Sequence, residues 1–339
     1  MLEEIDGVTD GYSLLQYLNE RFGLIAIQRY NQGNIVKFRI QAFQEYFFAI
    51  EVVPMLINKS VADMHINEDI SNFIFDLITT SPEYLKLYAT KTKNQMVYIP
   101  EGPTIIGQDD NVFIKNFNYD YYIDIYPVTN TQYHEFTKAT NYKVPNHWEG
   151  GVITPEDENK PVVYVSWNDC IQYAKWAGKT LPSELEWEKA AGGIDGRYYP
   201  WGINFKSDLC NTVESELLTT TPVDKYSPEG NSLFGVADVC GNVFEWTSSD
   251  FGTKGKTKVL KGGSFNYDKT LARLSNKIGY HPGLTHNHIG FRLCEKEVDI
   301  DHIDQYDKEN DNIPALEENS AWRVVVQWRI PSECSCLHY

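Results

Sequence analysis

The stretch that most limits how this chain can fold runs from Lys261 to Arg292, KGGSFNYDKTLARLSNKIGYHPGLTHNHIGFR. It opens on Gly262-Gly263-Ser264, where the backbone can turn tightly, and closes on Gly290-Phe291-Arg292. Between these ends Asn, Tyr, His and Asp are dense and no strand-like or helix-like hydrophobic period is sustained. The segment is therefore expected to be a surface loop held at both ends. A chain that carries so long a loop needs a rigid scaffold on either side, and loops held on such scaffolds are where binding and catalysis concentrate.

With 339 residues, 42% of them hydrophobic, the chain is long enough for two domains with separate cores. A formal charge of -17 and a pI near 4.9 argue against a nucleic-acid or anionic-membrane surface, both of which need clustered Lys and Arg. No apolar run is long enough to span a bilayer, and Met1-Leu2-Glu3-Glu4 lacks the basic and apolar start of a signal peptide, so a cytoplasmic location is expected. The cysteines (Cys170, Cys210, Cys240, Cys294, Cys334, Cys336) are single except for Cys334-Ser335-Cys336, which fits no usual zinc spacing. Reduced, partly buried thiols are the expectation.

Residues 1–93 read as a small helical unit. Tyr12 to Phe22 has helical apolar spacing and ends at Gly23. Leu24 to Arg29 and Ile35 to Ile40 flank a turn containing Gly33, a hairpin signature, and Ala42 to Val53 is an apolar helix expected to stop at Pro54. Further helices are predicted over Ile66–Thr79 and Pro82–Tyr88, and the polar run Thr90 to Gln95 is the candidate linker. The segment GLIAIQRYNQGNIVKFRIQAFQEYFFAI resembles the winged-helix part of NACHT-type (STAND) ATPases, which implies such an ATPase as a possible partner of residues 1–93. The chain has no Gly-rich phosphate loop of its own, so it cannot hydrolyse ATP. Helix 42–53 offers only Glu45 and Glu51 as charges, the opposite of a DNA recognition helix.

From Met96 the texture changes to short strands, many glycines and many aromatics. Met96–Pro100 and Thr104–Gly107 read as a hairpin, Asn118–Ile125 and Val162–Val165 as strands. Helices are predicted from Thr129 to Ala139, after Ser166 to Ala177 with Gly178 as C-cap, and over Glu184–Ala191 after the Ser183/Glu186 capping box. Trp167, Trp176, Trp187, Trp201 and Trp246 are expected in the core. The words MVYIPEGPTIIG, YYIDIYPVTNTQYHEF, PVVYVSWNDCIQYAKWAGKTLPSELEWEKAAGG, RYYPWG, DVCGNVFEWTSSDF and VLKGGSF…IGFRL follow the order of the formylglycine-generating-enzyme (sulfatase-modifying factor) superfamily. This resemblance covers residues 96–295 and implies an α+β, C-type-lectin-like fold. The domain is set at 94–296, followed by an acidic tail, 297–339, with a possible docking strand at Ala321–Ile330.

The resemblance also lets the chemistry be tested position by position. Oxidases of this family use two cysteines that bind copper in the Lys261–Arg292 region; the matching positions here are Tyr267 and Ala272, and neither side chain can supply a thiolate, so no copper is expected. Iron-dependent members that form carbon-sulfur bonds carry paired histidines in an N-terminal bundle, whereas residues 1–93 hold His65 alone. An oxidoreductase with an altered active site is kept as the alternative. Non-catalytic members use the same region for display, in some cases diversified by retroelements at adenines, chiefly in Asn codons. Asn266, Tyr267, Asp268, Asn276, Tyr280, His281, His286, Asn287 and His288 fit that palette, with Ser275. A loop over 264–288 that binds a protein or small-molecule partner is the leading reading, and it is favoured over a metal site at His286 and His288. The resemblance further implies a structural Ca²⁺ held by Asp238, Gly241, Val243 and Glu245, and a second site at Asn211 and Thr212.

Overall fold

The computed structural model describes residues 25–30, 33–38, 40–79, 88, 91–108, 111–252 and 255–296. The expected helix over Tyr12–Phe22, nearly all of Pro82–Tyr88, and the tail at 297–339 lie outside these residues. The predicted hairpin is present as β1 (Ile25–Tyr30) and β2 (Gly33–Phe38), antiparallel with Ile25 opposite Phe38. Helix α1 (Ile40–Ile57) continues through Pro54 instead of stopping there. Pro54 faces solvent, while Ala49, Val52, Val53 and Leu56 on the other face are buried, so packing holds the helix for one more turn despite the lost amide.

The packing runs across residue 93. Strand β3 (Met64–His65) pairs with residues 113 and 114, and α2 (Glu68–Thr79), capped where Asn67 Oδ1 accepts from the Ile70 amide at 2.8 Å, buries Ile74 and Ile78. These residues share one core with Val97, Ile99, Ile105, Trp187 and Ala190. The polar run read as a linker forms β4 (Thr92–Lys93), which pairs with β5 (Met96–Ile99).

The expected 96–107 hairpin does not form. Strand β5 pairs with β8 (Tyr121–Asp124), whereas β6 (Gly102–Ile106) pairs with β7 (Phe113–Phe117) in a separate sheet. Gly102 has φ +115°, which turns the chain from one sheet to the other. Val162–Val165 is also not a strand, because Tyr164 takes φ +59° and breaks the extended geometry. The three predicted helices are present as α3 (Asn130–Thr140), α4 (Trp167–Ala177) and α5 (Glu184–Gly192). Each has a capping box, on Thr129/Gln132, Ser166/Asp169 and Ser183/Glu186, and α4 ends at Gly178 in the left-handed region.

The last sheet comprises β9 (Phe244–Asp250), β10 (Lys258–Lys261), β11 (Lys277–Tyr280) and β12 (Ile289–Gly290), in the order β11-β10-β9-β12. The 261–292 stretch is therefore not one continuous loop. It contains β11, and it buries Phe265, Ala272 and Leu274. A second core beneath it packs Tyr133, Phe136, Tyr173, Trp246 and Phe291, with Tyr133 stacked on Tyr173 at 5.6 Å. Of the five tryptophans expected inside, Trp187 and Trp246 are fully buried, Trp167 and Trp201 are half-buried, and Trp176 is exposed. Finally, β13 (Cys294–Lys296) returns to pair with β8.

Two buried charge clusters tie these pieces together. Arg292 is completely buried and donates to both oxygens of Glu245 at 2.7 Å, to the Asp124 and Ile125 carbonyls at 3.1 and 2.9 Å, and to the Ala237 carbonyl at 2.9 Å. Lys261, also completely buried, donates to Glu188 Oε2 at 2.7 Å, and Gly107 N–H donates to Glu188 Oε1 at the same distance. Breaking such a pair from one side strands the other charge in the interior. Arg292→Ala is expected to lower stability by about 3–5 kcal/mol in denaturant unfolding, against about 0–1 kcal/mol for Lys277→Ala, whose partner Glu184 lies nearer the surface. Equal losses in the two variants would contradict this account.

Candidate functional site

Six of the predicted binding residues converge on one face beside β11 and β12. His286 stacks on His288 with ring centroids 5.2 Å apart, Tyr280 meets His286 edge-on at 5.5 Å, and Tyr267 meets His288 at 5.6 Å. Nδ1 of His288 lies 3.4 Å from Asn266 Nδ2 and 3.0 Å from Asn287 Oδ1. Asn266 and Asn287 are exposed, Tyr267, Tyr280 and His286 are half-buried, and His288 is buried as the floor of the patch. Burial, with His286 adding to it, pushes the His288 imidazole down to about 4, which keeps it neutral near pH 7.

The other three residues serve the local backbone. Asp268 Oδ1 accepts from the Thr270 amide at 2.9 Å, Asn276 donates to the Thr270 carbonyl at 3.0 Å, and His281 Nδ1 accepts from the Gly283 amide at 3.2 Å. They shape turns in the segment instead of joining the aromatic patch.

Sequence reading missed Tyr164 and His147, which extend the same face. Tyr164 N–H donates to the His286 carbonyl at 2.9 Å, and its ring lies 4.9 Å from that of His147. A left-handed tyrosine is a strained choice that the surroundings must enforce. A shallow pocket of about 50 Å³ opens next to it, lined in part by Tyr133, Lys143, Asp169 and Thr285. Nothing in the local pattern PVVYVSW signals the turn at Tyr164, because Val and Tyr there favour a strand.

The positions of the family's redox cysteines are separated in environment. Tyr267 lies at the rim and packs on Phe244 at 5.3 Å. Ala272 is completely buried against Tyr199, Cys210 and Cys240. Gly263 packs so closely on Ala272 that a Cβ added at Gly263 would lie 2.7 Å from the Ala272 Cα.

The calcium ligands implied by the resemblance can be tested against their contacts. Both oxygens of Glu245 are taken, by Arg292 and by the Trp187 indole N–H at 2.7 Å, so Glu245 does not fit a Ca²⁺ cage while Arg292 is seated. Asp238 is different: its carboxylate accepts from Asn242 Nδ2 at 2.7 Å, and burial pushes it up to about 8. The Gly241 and Val243 carbonyls lie in the chain between these two carboxylates. At the second site Asn211 Nδ2 donates to the Thr219 carbonyl and its Oδ1 accepts from Ser215, both at 2.9 Å, while the buried Thr212 hydroxyl has no hydrogen-bond partner. Among the described residues no cluster of three His, Cys, Asp or Glu side chains could hold a metal ion.

Two measurable consequences arise from these environments. The folded-state pKa of Asp238, about 8, lies above its unfolded value of about 3.9. Its stabilising neutral form is therefore fully present below pH ~4 and is lost as pH rises through about 8. Asp238→Asn is expected to flatten the fall in melting temperature across that range; a Ca²⁺-dependent rise in the parent that the variant lacks would instead put a cation at Asp238. For His288, nitrogen chemical shifts are expected to report a neutral ring at pH 5.5, and a protonated ring at that pH would contradict its burial as drawn.

Comparison with known proteins agrees with this architecture. The profile of the Sulfatase-modifying factor enzyme 1-like domain matches residues 83–297. The chain is 30% identical over 270 residues to the mouse (Mus musculus) "Inactive C-alpha-formylglycine-generating enzyme 2", covering 59% of this chain and 85% of that protein. It is 38% identical over 179 residues to the formylglycine-generating enzyme of Streptomyces coelicolor, covering 42% of this chain and 54% of that one. In fold it matches PvdO from Pseudomonas aeruginosa (TM-score 0.52, 21% identity, covering 62% of this chain and 98% of that one). Treponema denticola variable protein 1 matches similarly (TM-score 0.50, 20% identity, covering 61% and 99%). Among the described residues no helix is long and apolar enough to cross a membrane. With its mixed helices and sheets and more than half its length matched, the chain belongs to the sulfatase-modifying-factor (formylglycine-generating-enzyme-like) domain family, in an α+β fold of the C-type-lectin-like kind.

Proposed function

We propose that this domain is a non-catalytic recognition module that binds a partner through the face formed by Asn266, Tyr267, Tyr280, His286, Asn287 and His288, extended by His147 and Tyr164. The observation that carries this reading is the state of the two family cysteine positions. Tyr267 turns one of them into part of an aromatic surface, and Ala272 closes the other inside a packed cluster. No thiolate is available at either position to hold a soft metal or to accept electrons. The similarity to a relative named as inactive supports the same direction.

The chemistry of the face suits contact more than catalysis. Tyr and His present rigid area with few rotatable bonds, and Asn supplies adaptable hydrogen bonding at the edges. The neutral His288 beneath His286 can act as donor or acceptor without adding charge to a molecule that is already strongly acidic. Diversification by a retroelement is the finer part of the proposal: the outward residues belong to the set reached from Asn codons by changes at adenines. It predicts a near-copy of the codons for Gly262 to Arg292 beside a reverse-transcriptase gene, differing only at adenines.

The experiment that tests the reading has two arms. Alanine at Asn266 or Asn287, both exposed, is expected to shift the melting temperature by only about 1–2 °C, as surface positions free to vary should, whereas Phe291→Ala in the core costs about 3–5 kcal/mol. With Cu(I) and a cysteine-containing peptide, oxygen consumption is expected to stay at the buffer rate. Turnover in that second arm would replace the recognition reading with an altered oxidoreductase.

A further inference from the structure

Cys210 and Cys240 belong to a part of the molecule that the recognition face leaves unused. The residues that follow them, Asn211 and Gly241, form a parallel bridge, and the Asn242 amide donates to the Asn211 carbonyl at 2.7 Å. In parallel register the preceding residues also stand opposite one another with side chains on the same face. Backbones joined by such a bridge lie about 4.8 Å apart at the bridge, inside the Cα separation of about 4.4–6.8 Å that a disulfide requires. Both cysteines are buried free thiols, at 1% and 2% exposure, in one cluster with Tyr199 and Ala272, and the Cys210 thiol donates to the Lys206 carbonyl at 3.7 Å. Among the described residues, the other two cysteines are placed elsewhere: Cys170 lies in the aromatic core, and Cys294 Sγ sits 3.3 Å from Thr180 Oγ1.

From this juxtaposition we infer that Cys210 and Cys240 form a reversible disulfide that locks the base of the 264–288 segment. The two chain segments that carry the thiols are also the ones that hold that segment. Gly241 N–H donates to the Gly262 carbonyl at 2.7 Å, Phe265 N–H to the Asn242 carbonyl at 3.1 Å, and Val213 N–H to the Tyr267 carbonyl at 3.0 Å. The oxidant is a low-molecular-weight disulfide. One protein thiolate attacks it and releases one small thiol; the second protein thiolate then attacks the mixed disulfide, releases the other small thiol, and closes the Cys210–Cys240 bond. The protein loses two electrons and two protons, and the small disulfide gains them. Burial pushes the Cys240 thiol well up, so exchange runs during folding or through local opening and not on the closed native state.

The test uses the full chain, refolded in glutathione redox buffer or in dithiothreitol, then alkylated with iodoacetamide under denaturing conditions and mapped by peptide mass spectrometry. Oxidised protein is expected to yield a peptide joining Cys210 to Cys240, lighter by two hydrogens than its reduced parts. Its melting temperature is expected to rise by about 5–10 °C, reversibly with dithiothreitol. Cys240→Ser should lose the rise; should that variant fail to fold, the peptide map of the parent decides alone. Full alkylation of both residues after oxidative refolding, or a bond confined to Cys334 and Cys336, would overturn the inference.

Discussion

The buried guanidinium of Arg292 is the constraint on which the rest of this domain depends. It satisfies Glu245 through two parallel hydrogen bonds and reaches three backbone carbonyls at 2.9 to 3.1 Å on two separate chain segments, near residues 124 and 237. Only a planar, permanently charged fork can do this, so lysine is no substitute. Because Arg292 terminates the Gly290-Phe291-Arg292 word and Glu245 sits in the Phe244-Glu245-Trp246 word, one interaction fixes the end of the 261–292 segment to the sheet that supports it. Lys261, buried on Glu188, fixes the other end.

Much of this was legible in the sequence. The three capped helices, the hairpin of β1 and β2, and the strand read over Asn118–Ile125 carry local signals strong enough to read without tertiary context, and the family words agree with the domain profile that matches residues 83–297. What escaped reading were features decided by long-range packing. Pro54 sits inside a helix because the apolar face on either side of it is buried. Tyr164 leaves the strand pattern because its amide is claimed by the His286 carbonyl, far along the chain. Similarly, the residues near Met96 and Thr104 alternate like a hairpin, but each pairs with a different sheet. Of the nine binding candidates, Asp268, Asn276 and His281 look the same in composition as the other six; only the turn geometry shows that their side chains are already engaged.

The two positions matched to the family's cysteines sit in different surroundings on the same scaffold. At the rim, the Tyr267 ring packs edge-on against Phe244 and His288. At the other, Gly263 packs so closely on Ala272 that any side chain at position 263 would collide with it. The hydrogen bonds that place Phe265 and Tyr267 run from the backbone at Asn242 and Val213, so the frame of the segment does not rely on the identity of either side chain.

The left-handed backbone of Tyr164 has a consequence for neutral drift. β-Branched replacements resist positive φ, so Val or Ile should be rare at this position among descendants of the chain, whereas Gly, Asn and Asp carry no such penalty. A large aromatic persisting at so unfavourable a dihedral would then mark continued selection on its exposed ring, and its replacement by glycine in a lineage would date the loss of whatever that ring contacts.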